Sequence, residues 1–196
     1  WRWERAGVFT LKSGDCPIAL KDLSGAYARC DAVLLTSDAA YVPPEEVSAL
    51  ERERARLSGA GLEVGEGGAF DVVVVGAGPG GMGASLAAAR NGARVALVFD
   101  RPVAGGNAST ECGIDFDGAA LSHRNAREGG IVEEMRLRKV YRRTNYTSVF
   151  DQMARQAPTL WLFRNERVMR VEKKGNAISS VLSRNTLTGK WTRWRG

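Results

Sequence analysis

The stretch "VVVVGAGPGGMG", residues 72–83, runs four valines straight into a cluster of glycines. A continuous apolar run of this kind reads as a parallel strand buried on both faces. Gly76, Gly78 and Gly81 have the spacing G-x-G-x-x-G. Gly76 permits the tight turn out of the strand. Gly78 admits a phosphate close to the backbone, and Gly81 lets the next helix pack against the strand. That helix is "GGMGASLAAARNG", ending at Gly92, and its N-terminus offers N–H donors and partial positive charge to an anion. "ARVALVFD" is a second buried strand, completing β-α-β in about 30 residues. Asp100 closes it, 19 residues after Gly81, where a carboxylate accepts hydrogen bonds from ribose hydroxyls. The constellation predicts a dinucleotide site. An acid at position 100 disfavours NADP, whose 2′-phosphate it would repel.

Downstream, "REGGIVEEMRLRKVYRR" and "TSVFDQMARQA" space their apolar residues by threes and fours and read as helices. "LWLFRNERVMRVEKKGNAISSVLSRNTLTGKWTRWR" reads as strands joined by turns at Gly175-Asn176 and Thr188-Gly189. Upstream, "WRWERAGVFTL", "CPIALKDL" and "RCDAVLLTSD" read as three short strands, too few to close a core alone. They are expected to be the last strands of a β-sandwich. "YVPPEEVSALERERARL" predicts a short helix with Pro44 at its first position and Glu45 and Glu46 at its positive end. "SGAGLEVGEGGAF" reads as a Gly-rich linker. The expected organisation is a partial β-sandwich over 1–42, a linker with a short helix over 43–69, and an α/β, Rossmann-like dinucleotide-binding domain over 70–196.

The chain has 196 residues, 44% hydrophobic and 26% charged, the composition of a soluble globular protein. No stretch approaches the roughly 20 apolar residues of a membrane helix, so membrane insertion is not expected. The net charge of +6 is uneven: residues 121–196 hold 17 Lys/Arg against 6 Asp/Glu, and residues 1–120 hold 11 against 16. Those basic residues are scattered among apolar ones without a nucleic-acid motif, and no nucleic-acid partner is expected. Three cysteines, none in a C-x-x-C pair, and a single histidine, His123, make a metal site unexpected. Cys16 and Cys30 lie on neighbouring strand-like segments and could meet, given an oxidising compartment. The chain opens on Trp1, not Met, and is expected to be a piece of a longer protein. Its localisation is unassigned, extracytoplasmic if a signal lies upstream.

"DRPVAGGNAST" puts a second glycine pair, Gly105-Gly106, just after the acidic residue, where a simple NAD domain goes directly into its next helix. Here the chain resembles the FAD-dependent oxidoreductases of the glutathione-reductase-like flavoprotein type. The resemblance covers residues 70–196, continuing through "RNAREGGIVEEMRLRK" and "LWLFRNERVMRVEKKGNAISSV". It implies FAD as cofactor, with Gly76, Ala77, Gly78, Pro79, Gly80 and Gly81 at the pyrophosphate and Asp100 at the adenosine ribose. It places Arg101 near the adenine, with Gly105, Gly106 and Asn107 lining the FAD groove. The backbone of Val168 would pass the adenine. It also implies a closing strand and a substrate domain beyond residue 196, hence weak flavin retention by these 196 residues alone.

"ASTECGIDFDG" departs from the family pattern at Cys112, which reads as inert packing, with a place near the flavin as the alternative. His123, Arg124, Arg127 and Glu128 form the densest polar cluster, read as ion pairing at a helix start, with an electrostatic role beside the flavin as the alternative. No catalytic residue is assigned. "GVFTLKSGDCPIALKDLSGAYARCDAVLLTSDAAYVPP" is similar to the last strands of carbohydrate-binding-type β-sandwich modules. That likeness implies a glycan contact in which Trp1 and Trp3 stack on a sugar, although in a fragment the two read first as core tryptophans exposed by truncation. The leading expectation is an FAD-dependent oxidoreductase of unassigned substrate. The alternatives are an NAD-binding dehydrogenase domain and a glycan-binding module with a degenerate nucleotide domain.

Overall fold

The computed structural model describes residues 2–23, 25, 30, 32–58, 63–115 and 129–196. The chain forms two compact units, divided after Gly59.

Among the described residues of the first unit one helix, α1 (Val47–Ser58), is formed. Glu46 caps it: its carboxylate accepts from the N–H groups of Ser48 (2.9 Å) and Ala49 (2.7 Å). Those bonds, with one from the Ser48 hydroxyl, hold the Glu46 carboxyl down at about 2. The helix therefore starts after the acid and not at Pro44. Tyr41 donates to Glu53, which Arg56 also grips. The three strands expected over residues 1–42 are absent among the described residues. Alternation makes a strand only where a neighbour pairs its backbone and something covers its apolar face. Here Val8, Phe9, Leu20 and Leu23 stay between 67% and 84% exposed. Cys16 and Cys30 are free and exposed.

The second unit carries β1 (Val64–Ala69), β2 (Val72–Val75), α2 (Pro79–Arg90), β3 (Val95–Val98), α3 (Gly130–Arg142), α4 (Tyr146–Arg155), β4 (Leu160–Phe163), β5 (Glu166–Lys174), β6 (Ala177–Asn185) and β7 (Trp191–Arg195). β2, β3 and β4 form a parallel sheet in that order, and β1, β7, β6 and β5 form a second sheet. In-register pairing of Val72–Val75 with Val95–Val98 alternates the side chains between two cores. Val72, Val74, Val95, Leu97, Leu160 and Leu162 face the helices. Val73, Ala96, Val98 and Phe163 face Val181 and Trp194 of the other sheet. The parallel sheet is thus covered on both sides, which is why its strands are apolar throughout.

α2 contributes Met82, Leu86 and Ala89 to the helical side, and α4 contributes Tyr146, Val149, Phe150, Met153 and Ala154. Both sets follow the i, i+3, i+4 spacing of an amphipathic helix. Asn145 caps α4 by accepting from the Ser148 N–H at 2.9 Å. The turns at Gly175 and Gly189 form as the sequence predicts, both at positive φ.

One segment corrects the sequence reading. The Gly-rich stretch read as linker contains β1, paired in parallel with β7 from Val64↔Trp191 to Ala69↔Arg195. Its glycines carry no alternation signal, yet one is needed for packing. A Cβ on Gly67 would lie 2.5 Å from the Trp194 ring.

Among the described residues no helix is long and apolar enough to cross a membrane. No three His, Cys, Asp or Glu side chains among them gather as metal ligands.

Candidate functional site

The glycine motif sits at the carboxyl edge of the parallel sheet. β2 ends at Val75, and the Gly76 N–H donates to Val98 O of β3 at 2.9 Å. The turn out of β2 therefore lies beside the end of β3, where Asp100 stands exposed. Gly76 adopts φ +93°, a conformation that disfavours any side chain. Gly81 answers a different demand: a Cβ there would lie 1.8 Å from Gly76 O, so helix and turn touch backbone to backbone.

Gly78 caps α2 without any side-chain hydrogen bond, and Pro79 follows with no N–H to satisfy. The first bond inside the helix runs from the Met82 N–H to Gly78 O at 2.9 Å. The N–H groups of Gly80 and Gly81 precede it, at the positive end of the helix dipole. A Cβ on Gly78 or Gly80 would meet nothing within 4 Å, so both glycines face open space on that side.

The second glycine pair is bonded to the first motif. The Gly105 N–H donates to Ala77 O at 2.7 Å. A Cβ on Gly106 would lie 3.2 Å from Gly78 Cα. Gly105 itself has φ +128° and no room beside Ser109. The start of α4 staples this loop: Thr147 Oγ1 accepts from the Thr110 N–H at 3.0 Å and donates to Ala104 O at 3.3 Å. Asn107 is exposed beside it, its carbonyl accepting from the Ile114 N–H. An open-faced helix N-terminus, walled by a second Gly-rich loop and flanked by an acid at the strand end, suits a dinucleotide pyrophosphate and its ribose.

Arg101 pairs with Glu111 at 3.2 Å. Val168 lies in β5, two residues beyond Glu166, whose N–H donates to Phe99 O at 2.8 Å. β5 therefore starts against the end of β3, and the Val168 side chain packs into the core between the sheets. Cys112 is exposed, not packed. His123, Arg124, Arg127 and Glu128 lie outside the described residues, as does Trp1. Trp3 is half-buried and donates to Pro44 O at 3.2 Å. Further along, Lys139 pairs with Asp115 and lies 4.6 Å over the Tyr146 ring. Burial pushes the Tyr146 hydroxyl above the usual tyrosine range.

Two contributors escaped the sequence reading. Thr147 sits in an ordinary helix start, and Glu166 opens an ordinary strand. Their partners lie 37 to 43 residues away for Thr147 and 17 to 19 for Glu166, so no local pattern marks either.

The family model for FAD dependent oxidoreductases matches residues 71–194. The soluble pyridine nucleotide transhydrogenase of Marinobacter nauticus is 55% identical over 38 residues, 19% of this chain and 8% of that protein. Sarcosine oxidase subunit alpha of a Corynebacterium species is 52% identical over 48 residues, 24% of this chain and 5% of that protein. Among solved structures, the chain is similar to the myxobacterial chondrochloren halogenase, a variant of FAD-dependent halogenases. The TM-score is 0.47 at 18% identity, over 65% of this chain and 36% of that one. It is also similar to thioredoxin reductase of Lactococcus lactis, with a TM-score of 0.39 at 16% identity over 71% and 31% of the two chains. The chain spans less than a tenth of these curated relatives and about a third of these solved chains.

Proposed function

The chain belongs to the FAD-dependent oxidoreductase family, and from that premise we propose that residues 76–107 hold the ADP half of FAD in a protein that oxidises or reduces a small molecule. FAD, when bound, supplies the electron chemistry. The residues of this chain bind and orient. The N–H groups of Gly80 and Gly81 and the α2 dipole neutralise the pyrophosphate. Asp100 accepts from the ribose hydroxyls. Gly105, Gly106 and Asn107 wall the groove, and Arg101 and the Val168 backbone flank the adenine.

The observation that carries this reading is the Gly105 to Ala77 hydrogen bond at 2.7 Å, which fixes the second loop against the first. Where the two Gly-rich loops meet, Gly78 and Gly106 put no Cβ in the way of an approaching pyrophosphate.

The test is flavin binding by the purified protein. FAD is added to the protein, since these 196 residues alone are expected to retain flavin weakly. Titration of the deflavinated protein should give binding that falls at least about tenfold in Asp100→Ala, the loss expected when a charge-assisted hydrogen bond is removed. Tight binding of NAD with no response to FAD would overturn the proposal.

A further inference from the structure

Glu166 is 9% exposed and sits where the two sheets meet. Its carboxylate accepts from the Ser183 hydroxyl at 2.5 Å and from Asn185 Nδ2 at 2.7 Å. Both donors are fixed by bonds of their own. Ser183 Oγ already accepts from Trp194 Nε1 at 2.8 Å, so its proton points away from the indole. Asn185 Oδ1 accepts from the N–H groups of Leu187 (3.0 Å) and Thr188 (2.9 Å), so its amide cannot flip without losing both. Position 166 must therefore accept twice. A glutamine would bring an NH₂ against either the Asn185 NH₂ or the Ser183 hydroxyl, leaving a buried donor unmatched.

The backbone around this acid reaches the cofactor edge. The Glu166 N–H donates to Phe99 O at 2.8 Å, and the Asn165 N–H donates to Arg101 O at 3.2 Å. Thr186 N–H closes the corner on Asn165 O at 2.7 Å. These bonds grip the chain on both sides of Asp100. The residue they bracket is the one assigned to the ribose.

We infer that Glu166 is a positioning residue for the adenosine subsite: through Asn165 and its own backbone it sets the place of Asp100. The inference rests on the assignment of Asp100 to the ribose. Ser183, Asn185 and Trp194 hold Glu166, Glu166 holds the 165–166 corner, and the corner clamps residues 99–101. An acid that must receive two preset donors makes a stiffer support than apolar packing of the same volume, because its geometry has one solution.

A double-mutant cycle on FAD affinity of the whole chain tests this, with calorimetric titration of FAD and of ADP, which lacks the isoalloxazine. Glu166→Gln should weaken both ligands about tenfold. In the Asp100→Ala background the same change should cost less than about twofold, since the group it positions is gone. A loss that is absent, or equal in both backgrounds, overturns the inference and leaves Glu166 a purely structural acid. Asp100→Ala binding FAD as tightly as wild type would instead bring down the ribose assignment itself. If Glu166→Gln does not fold, Ser183→Ala, which removes one of the two preset donors, is run through the same cycle and decides in the same way.

Discussion

Residues 2–42 and residues 63–115 both contain apolar residues at strand-like spacing, yet they end differently. In the first stretch Phe9 and Leu20 remain 67% and 70% exposed and no strand forms among the described residues. In the second, Val95, Ala96, Leu97 and Val98 are all fully buried in a parallel strand. Composition does not separate them. β3 has a strand hydrogen-bonded on either side and a core on each face. The lesson is that an apolar pattern becomes structure where it has partners for both its backbone and its side chains.

The sharpest way to break the comparison is to delete one large side chain from the first stretch and one from the core that covers the second. Phe150→Ala, in the core that covers β3, should cost about 3–5 kcal/mol in urea unfolding, because it empties a fully buried site. Phe9→Ala should change stability by less than about 0.5 kcal/mol, since its ring is already in solvent. Equal effects would mean that residues 2–42 are packed after all.

The glycine turn sharpens the contrast at the level of single positions. Gly81→Ala drives a Cβ into Gly76 O and should lower stability by about 3 kcal/mol as α2 lifts from β2. Gly80→Ala, one residue earlier and facing open space, should be neutral or gain up to about 1 kcal/mol from helix propensity. Thermal melts followed by circular dichroism distinguish the two.

A smaller gain is expected inside α2. The Ser85 hydroxyl is fully buried without a hydrogen-bond partner. Ser85→Ala should raise stability by about 1 kcal/mol, read from the shift in urea midpoint. A loss would show that the hydroxyl has a partner, such as water.

The smallest effect belongs to the outer face of the second sheet. Arg193 grips Glu172 at 2.8 Å and Glu66 at 3.1 Å across the strands. Hydrogen bonds from Arg193 and Ser180 hold the Glu172 carboxyl at about 2, below its usual 4.5. A depressed folded-state value stabilises above the unfolded one and is lost as pH falls through the folded one. Glu172→Gln should therefore be slightly less stable than wild type at pH 6, with the gap closing from pH 4.5 towards 2. A gap unchanged at pH 2 would show that charge is not its source.

Much of the glycine-rich edge of the parallel sheet was legible in the linear chain. The strand 72–75, the glycine spacing, the helix and Asp100 are consecutive, and each signal is local. The second glycine pair was legible through resemblance, although its bond from Gly105 to Ala77 was not. β1 was misread because Gly65, Gly67 and Gly68 erase the alternation that marks a strand, and its partner β7 lies more than a hundred residues on. Glu166 was invisible for a related reason: nothing in "NERVMR" shows that Ser183 and Asn185 will converge on it.

The sequence by itself therefore determined the β-α-β unit and the acid that follows it, because turn, strand and helix preferences act between neighbours in the chain. The tertiary structure alone decided that a Gly-rich segment becomes a strand, that the described residues of 2–42 do not, and that the backbone N–H groups of Asn165 and Glu166 bond the chain on either side of Asp100. Those outcomes depend on which distant backbone groups and side chains meet, and that is settled by packing and register, not by any residue's own preference.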